Sequence, residues 1–286
     1  MSGPLARISS AEPLAIAAWR LTLTMVVVGL ALVVTGSWRE WLSLSRRDIA
    51  LALMAGTALA LHFWSWIASL AYTTVAASVV LVNLHPIVIV VGSAVFLHER
   101  PTRRQVLGIG IAMLGALAVG YGDSERGVVA PDALLGDALA VFGALTVGFY
   151  YTTGRSLRQR LSLWPYAALV YGACLAVVLV LALATGVHLW PQPARDWLIF
   201  GGIALGPMLL GHTGFNWSLR YVPAYVVSLA ILAEPVGATI IAALMPSIAE
   251  RPSAWTLVGG AVILAGLVLG TVEWGNARAP AAVQGE

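Results

Sequence analysis

The chain has 286 residues, of which 59% are apolar and 10% charged, with a net charge of +3 and a mean hydropathy of +0.88. Soluble domains carry about 25% charged and 45–50% apolar residues, so a water-soluble globule and a disordered chain are both excluded. The charge is too small and too scattered for nucleic-acid binding, and the single cysteine, Cys174 in an apolar run, permits neither an intrachain disulfide nor a zinc site.

Residues 1–13 are polar and do not form a signal peptide. Nine apolar runs follow, at 14–34, 49–70, 75–97, 105–121, 134–151, 166–186, 198–219, 223–246 and 255–272. Each approaches the roughly 20 residues that a membrane helix needs, with 105–121 and 134–151 at the short end. None alternates strictly between polar and apolar residues, which argues against a strand barrel. The expected fold is an all-α polytopic membrane protein with nine transmembrane helices.

Ionisable groups within such runs are costly and mark paired interiors or functional sites. The first run carries Arg20, six residues in and roughly 9 Å from the end. It reads as a structural charge that could snorkel to the outer surface. In the second run His62, Trp66 and Ser69 share one helix face at i, i+4 and i+7, with Trp64 expected to face elsewhere. The third has His85 beside Pro86, and Asn83 pointing away from His85. Thr146, Tyr150 and Thr153 form a face on the fifth, where at least one of Tyr150 and Tyr151 is expected to be an interfacial anchor. His212 and Asn216 share a face on the seventh. In the eighth, Glu234 lies eleven residues in, beside Pro235. An aromatic wall suits an apolar organic body or a cation, whereas Glu and His suit a proton or an ammonium. The candidate binding residues are therefore His62, Trp66, His85, Tyr150, His212, Asn216 and Glu234. No metal ligand set and no cofactor motif is present, and no GxSxG, HExxH or P-loop points to an enzyme.

All 16 basic residues are arginine. Eleven fall in one set of loops and the tail (Arg39, Arg46, Arg47, Arg100, Arg103, Arg104, Arg155, Arg158, Arg160, Arg220, Arg278). Four fall in the other set (Arg7, Arg126, Arg195, Arg251). The first set is expected in the cytoplasm, which places the C-terminus inside. Trp38, Trp41, Trp190, Trp197 and Trp274 lie at span ends and read as interfacial anchors. The spacings Gly202/Gly206 and Gly266/Gly270 read as close helix contacts.

The chain also repeats itself. Tyr72 and Pro86 match Tyr221 and Pro235 at an offset of 149, and at that offset His85 pairs with Glu234 and Trp66 with Phe215. At an offset of 151, Glu99-Arg100-Pro101 recurs as Glu250-Arg251-Pro252, and Gly108 and Gly115 recur as Gly259 and Gly266. The second run matches the seventh, an odd number of spans later, so the two copies are oppositely oriented. Inverted repeats of this kind are typical of transporters. The expected organisation is a first repeat at 1–122, a linker at 123–133, a second repeat at 134–276 and a cytoplasmic tail at 277–286.

These residues resemble the EamA-type family of the drug/metabolite transporter superfamily. The resemblance rests on Pro-Leu-Ala-Ile-Ala-Ala-Trp-Arg at 13–20, Leu-Ala-Tyr-Thr-Thr-Val-Ala-Ala at 70–77, Pro86 within a helix and Glu99-Arg100-Pro101 before a Gly-rich helix. In the second half it rests on Leu-Arg-Tyr-Val-Pro-Ala at 219–224 and Glu234-Pro235. It implies ten helices in two five-helix inverted repeats, of which the first helix is missing here. It also implies a bacterial inner-membrane secondary transporter that exports a small organic metabolite, such as an amino acid, by alternating access. The expected partners are that substrate, protons and the lipid bilayer. The alternative is a truncated or degenerate membrane protein without transport activity.

Overall fold

The computed structural model describes residue 5 and residues 9–73, 75–124, 132–234, 236–237, 240 and 254–276. Pro235, Glu250-Arg251-Pro252, most of the 123–133 linker and the 277–286 tail lie outside these residues, as do Arg7, Arg126 and Arg278.

Among the described residues every regular element is helical. In chain order they are Pro13–Val34 (α1), a 3-10 turn Ser37–Ser43, Arg46–Tyr72 (α2), Val75–Val82 (α3) and His85–Gly92 (α4), continued by a π turn Ser93–Leu97. Then come Arg103–Ser124 (α5), Ala133–Arg158 (α6), Leu163–Ala184 (α7) and Ala194–Ile203 (α8), the last continued by a π turn Ala204–His212 and Thr213–Ser218 (α9). Ala224–Ile231 (α10) and Ala254–Asn276 (α11) complete the series. Among the described residues seven stretches are long and apolar enough to cross a membrane. Of the other apolar runs, 105–121 lies within α5, and 223–246 is described as α10 and a few residues beyond it.

Local chemistry explains the breaks. α1 starts with Pro13 in its first turn, where a missing N–H leaves no intrahelical bond unmade. Gly36, at φ 63°, turns the chain beyond its end. α2 opens on a capping box: Asp48 N donates to Ser45 Oγ (3.1 Å) and Ser45 N donates to Asp48 Oδ2 (3.2 Å). The third apolar run is not one straight helix. It breaks at residues 83–84, because the Pro86 ring would clash with the carbonyl four residues back. Pro207 acts differently on the seventh run. There the helix widens into the π turn, and Thr213 Oγ1 donates to the carbonyl of Met208, five residues back, at 3.0 Å.

Helices from the first part of the chain pack chiefly on helices from the second: α1 on α7, α2 on α6 and α7, α4 on α6, and α5 on α11. Small residues mediate this packing and large apolar ones face outward. Ala52, Ala55 and Ala60 are fully buried, whereas Leu30, Leu107, Leu198 and Leu210 are exposed. That distribution is the one expected where lipid, not water, surrounds the bundle. α5 and α11 meet backbone to backbone. A Cβ on Gly108 would lie 2.7 Å from Gly266 O, and a Cβ on Gly115 would lie 2.6 Å from Gly259 O. As the numbering rises on α5 it falls on α11, so the pair is antiparallel. Gly270 joins the same contact, 2.7 Å from the Gly108 Cβ position. Gly202 and Gly206 do not make a comparable one: a Cβ at Gly206 meets open space, and at Gly202 only Leu5 Cδ1 at 3.7 Å.

Candidate functional site

The interior of the bundle holds a ladder of rings. α1 supplies Arg20, whose guanidinium carbon stands 3.8 Å above the Phe63 ring of α2. Phe63 meets His212, at the end of the second π turn, edge-on at 5.6 Å. His212 stacks parallel to Tyr151 of α6 at 6.4 Å, and Tyr151 Oη lies 3.4 Å from His212 Nδ1. On the other side of Phe63, His62 contacts it at 5.5 Å and stacks on Trp66 at 6.3 Å. His62 Nδ1 donates to the Gly143 carbonyl of α6 at 2.9 Å, which fixes the hydrogen on that nitrogen.

A polar knot lies beside the ladder. Asn216 of α9 is fully buried. Its Nδ2 donates to Tyr150 Oη (2.6 Å) and Tyr171 Oη (2.9 Å), and Tyr166 Oη donates to its Oδ1 at 3.5 Å. Tyr171 Oη and Thr213 Oγ1 are 3.1 Å apart. Arg158 Nε donates to the Asn216 carbonyl at 2.9 Å, and its Nη1 donates to the carbonyl of Leu161. Each of these groups is buried and has a partner, as a dry interior requires.

His85 donates from Nδ1 to the Val82 carbonyl at 3.1 Å, across the break before α4. It lies within electrostatic reach of His62 on one side and of Glu234 on the other, and Glu234 also acts on Tyr151. Arg20 and His62 both act on His212. Ring and hydrogen-bond contacts join Arg20, His62, Trp66, Tyr150, His212 and Asn216 into one group through Phe63 and Tyr151. Glu234 stands at its rim with an exposed side chain, while His62, His85, Tyr150 and Asn216 are buried. Trp66 and His212 are partly buried.

Some expectations need correcting. Arg20 does not snorkel: it is 4% exposed, because the Phe63 ring holds its guanidinium inside. Tyr150 and Tyr151 are both buried, so neither is an interfacial anchor. Arg158, counted among the loop arginines, is 1% exposed, because α6 continues past residue 151 to Arg158 and carries it under Asn216. Thr146 turns back on its own helix, donating to the carbonyls of Phe142 (3.0 Å) and Gly143 (3.1 Å). Ser69 joins α2 to α3 through Ser78 Oγ (2.6 Å). Phe63, Tyr166, Tyr171 and Thr213 were not singled out from sequence. For the two tyrosines a signal existed, since a phenol within an apolar run must find a partner there.

Among the described residues, two side chains of the ladder, Arg20 (Nε and Nη2) and Trp66 (Nε1), and also His85 (Nε2), keep buried polar atoms without a hydrogen-bond partner. No group of three or more His, Cys, Asp or Glu among the described residues could hold a metal. Two hollows on the outside of the bundle, one beside Arg104 and Leu264 and the other beside Leu53 and Phe149, are lined by none of the ladder's rings.

Comparison with known proteins agrees with this architecture. A protein of Bacillus subtilis (strain 168), described as the uncharacterized transporter YyaM, is 25% identical over 234 residues, or 80% of this chain and 76% of that protein. A solved crystal structure superposes with a TM-score of 0.79 at 18% identity, covering 94% of this chain and 90% of the other, which shows a shared fold. The EamA-like transporter family matches residues 2–121 and 134–272. This multi-pass helical membrane protein therefore belongs to the EamA-like transporter family.

Proposed function

We propose that the protein is a bacterial inner-membrane secondary transporter that exports a small organic metabolite, such as an amino acid, by alternating access. One observation carries this reading. His62 and Trp66 come from the first family-matched segment, and Tyr150, His212 and Asn216 from the second, yet their rings and hydrogen bonds meet through Phe63 and Tyr151 in the bundle interior. A site shared by two segments changes shape when the segments rock against each other.

In this reading nine membrane helices form two inverted copies, 1–122 and 134–276, joined by 123–133, with the 277–286 tail in the cytoplasm. The glycine seam supports the inversion. Gly108 corresponds to Gly259 and Gly115 to Gly266, while Gly108 faces Gly266 and Gly115 faces Gly259. Reciprocal contacts of this form are the mark of a two-fold relation. Between antiparallel helices that axis runs across them, in the plane of the membrane. The rings of Phe63, Trp66, His212 and Tyr151 would hold the apolar body of the substrate, and Tyr150 and Asn216 would offer it polar contacts. Glu234 and His85 would carry the coupled proton.

The test is a resistance screen. Cells that overproduce the chain are challenged with toxic analogues of amino acids and related metabolites. The expected result is a raised inhibitory concentration for at least one analogue, lost in His212→Ala, with saturable transport of that compound in proteoliposomes. A membrane-inserted chain that gives neither resistance nor saturable transport would overturn the reading.

A further inference from the structure

We propose that Arg20 is the anchor for a carboxylate, so that the molecule carried is a monocarboxylate with an apolar body lying against the Phe63–His62–Trp66 side of the ladder. This names the substrate class of the site above and rests on that transport reading.

The argument starts from charge. An arginine keeps its charge at any accessible pH, and Arg20 is 4% exposed in the interior of a membrane protein. The ion pairs among the described residues join Arg155 to Glu99, Arg160 to Asp48 and His188 to Glu12, and none involves Arg20. The Phe63 ring meets the flat face of the guanidinium. That contact favours the cation but accepts no hydrogen bond in the guanidinium plane. A buried, unpaired charge is unfavourable, and it persists where something else compensates it.

The unpaired atoms identify what that is. Nε and Nη2 are both buried and have no hydrogen-bond partner among the described residues. They form one side edge of the guanidinium, from which two N–H bonds point in parallel. That edge matches the two oxygens of a carboxylate, which is the bidentate geometry for which arginine is best suited. A phosphate group usually needs several clustered cations. No lysine occurs in the chain, and Arg158, the other arginine near the ladder, is committed to the carbonyls of Asn216 and Leu161. Beside Arg20 the rings continue from Phe63 to His62 and on to Trp66. Trp66 Nε1 adds one further unpartnered donor. A carboxylate head with an apolar body satisfies both the charge and the walls. The helix movement that opens the site for transport also gives it access.

The experiment uses the full chain purified in detergent and follows thermal unfolding by tryptophan fluorescence. The probes are the proteinogenic amino acids and a series of alkyl and aryl monocarboxylates, each paired with its primary amide, with sodium chloride and sodium phosphate alone as further arms. A ligand that binds only the folded state raises Tm. The expected result is that at least one carboxylate raises Tm and its amide does not. Arg20→Lys keeps the charge but loses the planar edge, and should weaken that carboxylate by about tenfold or more. Arg20→Met should abolish the response while raising the Tm of the free protein, because an apolar side chain replaces an unpaired buried cation. A purely structural arginine would give the opposite Tm change.

The proposal fails if no carboxylate raises Tm, or if amides act as well as carboxylates. It also fails if Arg20→Met keeps the response, or if phosphate or chloride alone reproduces it, which would point to an inorganic ion or a lipid headgroup. Should Arg20→Met not fold, the carboxylate–amide comparison on the unaltered chain and the Arg20→Lys titration decide. Resistance to neutral or cationic analogues that survives in Arg20→Met would leave the transport reading intact and sink this one. Carboxylate binding at Arg20 without any transport would do the reverse.

Discussion

Arg155 holds Glu99 side-on: Nε and Nη2 both donate to the same carboxylate oxygen, Oε1, at 2.9 and 2.7 Å, while Nη1 donates to the carbonyl of Leu219 at 2.6 Å. One guanidinium on α6 thereby ties the segment after α4 to the end of α9. The chain reaches this position because His98 adopts φ 56°, which closes the π turn and lets Glu99 N donate back to Ser93 O at 3.0 Å. The side chains are 12% and 25% exposed, so water screens the pair only partly. Glu99→Gln should cost about 1–3 kcal/mol, the range for a charge-assisted hydrogen bond. In a cycle with Arg155→Gln the double variant should lose less than the sum of the singles. Thermal melting in detergent measures both, and strict additivity would show that the contact contributes nothing.

Asn216 serves two tyrosines at once. Replacing it with leucine takes the Asn216 amide from the buried Tyr150, Tyr166 and Tyr171 hydroxyls, of which Tyr171 keeps Thr213, so Asn216→Leu should cost about 2–4 kcal/mol, counting about 1–3 kcal/mol for each of the Tyr150 and Tyr166 hydroxyls. Tyr171→Phe removes the bonds to Asn216 and Thr213 but leaves Asn216 its bond to Tyr150 and Thr213 its bond to the Met208 carbonyl, and should cost about 1 kcal/mol. Equal losses for the two variants would contradict the central place of Asn216 in the knot.

Much of this site is legible in the sequence, for a physical reason. A histidine or asparagine within an apolar run is driven inward by the cost of exposing it to lipid, so His62, His85, His212 and Asn216 declare themselves. The helices are legible on the same ground, since lipid demands long unbroken apolar segments. What is not legible depends on length and on face. Arg158 lies about two turns beyond the apolar run and reads as a loop charge until α6 is seen to extend that far. Tyr166 and Tyr171 merge into the apolar run of α7, where only a partner on another helix distinguishes a phenol from a ring. The repeat of Gly108 and Gly115 is visible as a pattern. That each faces the other's counterpart is a property of the packed pair, not of the pattern.

The glycine seam predicts a sharp contrast. Gly115→Val places a side chain where Gly259 O stands 2.6 Å away, so α5 and α11 must part along their length. Overpacking of this kind should cost about 1–3 kcal/mol. Gly206→Ala points into open space and should change Tm by less than a degree or two. A destabilised Gly206→Ala beside an unaffected Gly115→Val would show that the contact lies elsewhere.

Glu234, whose side chain is exposed at the rim of the ladder, offers a test of the proposed proton coupling. If it carries the coupled proton, Glu234→Gln should remove the dependence of transport on the pH gradient in proteoliposomes. Transport by the glutamine variant that keeps the pH profile of the unaltered chain would rule out this carboxylate as the proton carrier.

The α5–α11 seam has no side chains between its two backbones at four glycine positions, and so no rotamers to rearrange. Parting it would expose bare peptide groups and forfeit close contact along two whole helices, whereas turning about it leaves both intact. In the transport cycle proposed above the seam would be the fulcrum, the line about which the two segments tilt without coming apart, and the rings of His62, Phe63, His212 and Tyr151 would be the part that opens.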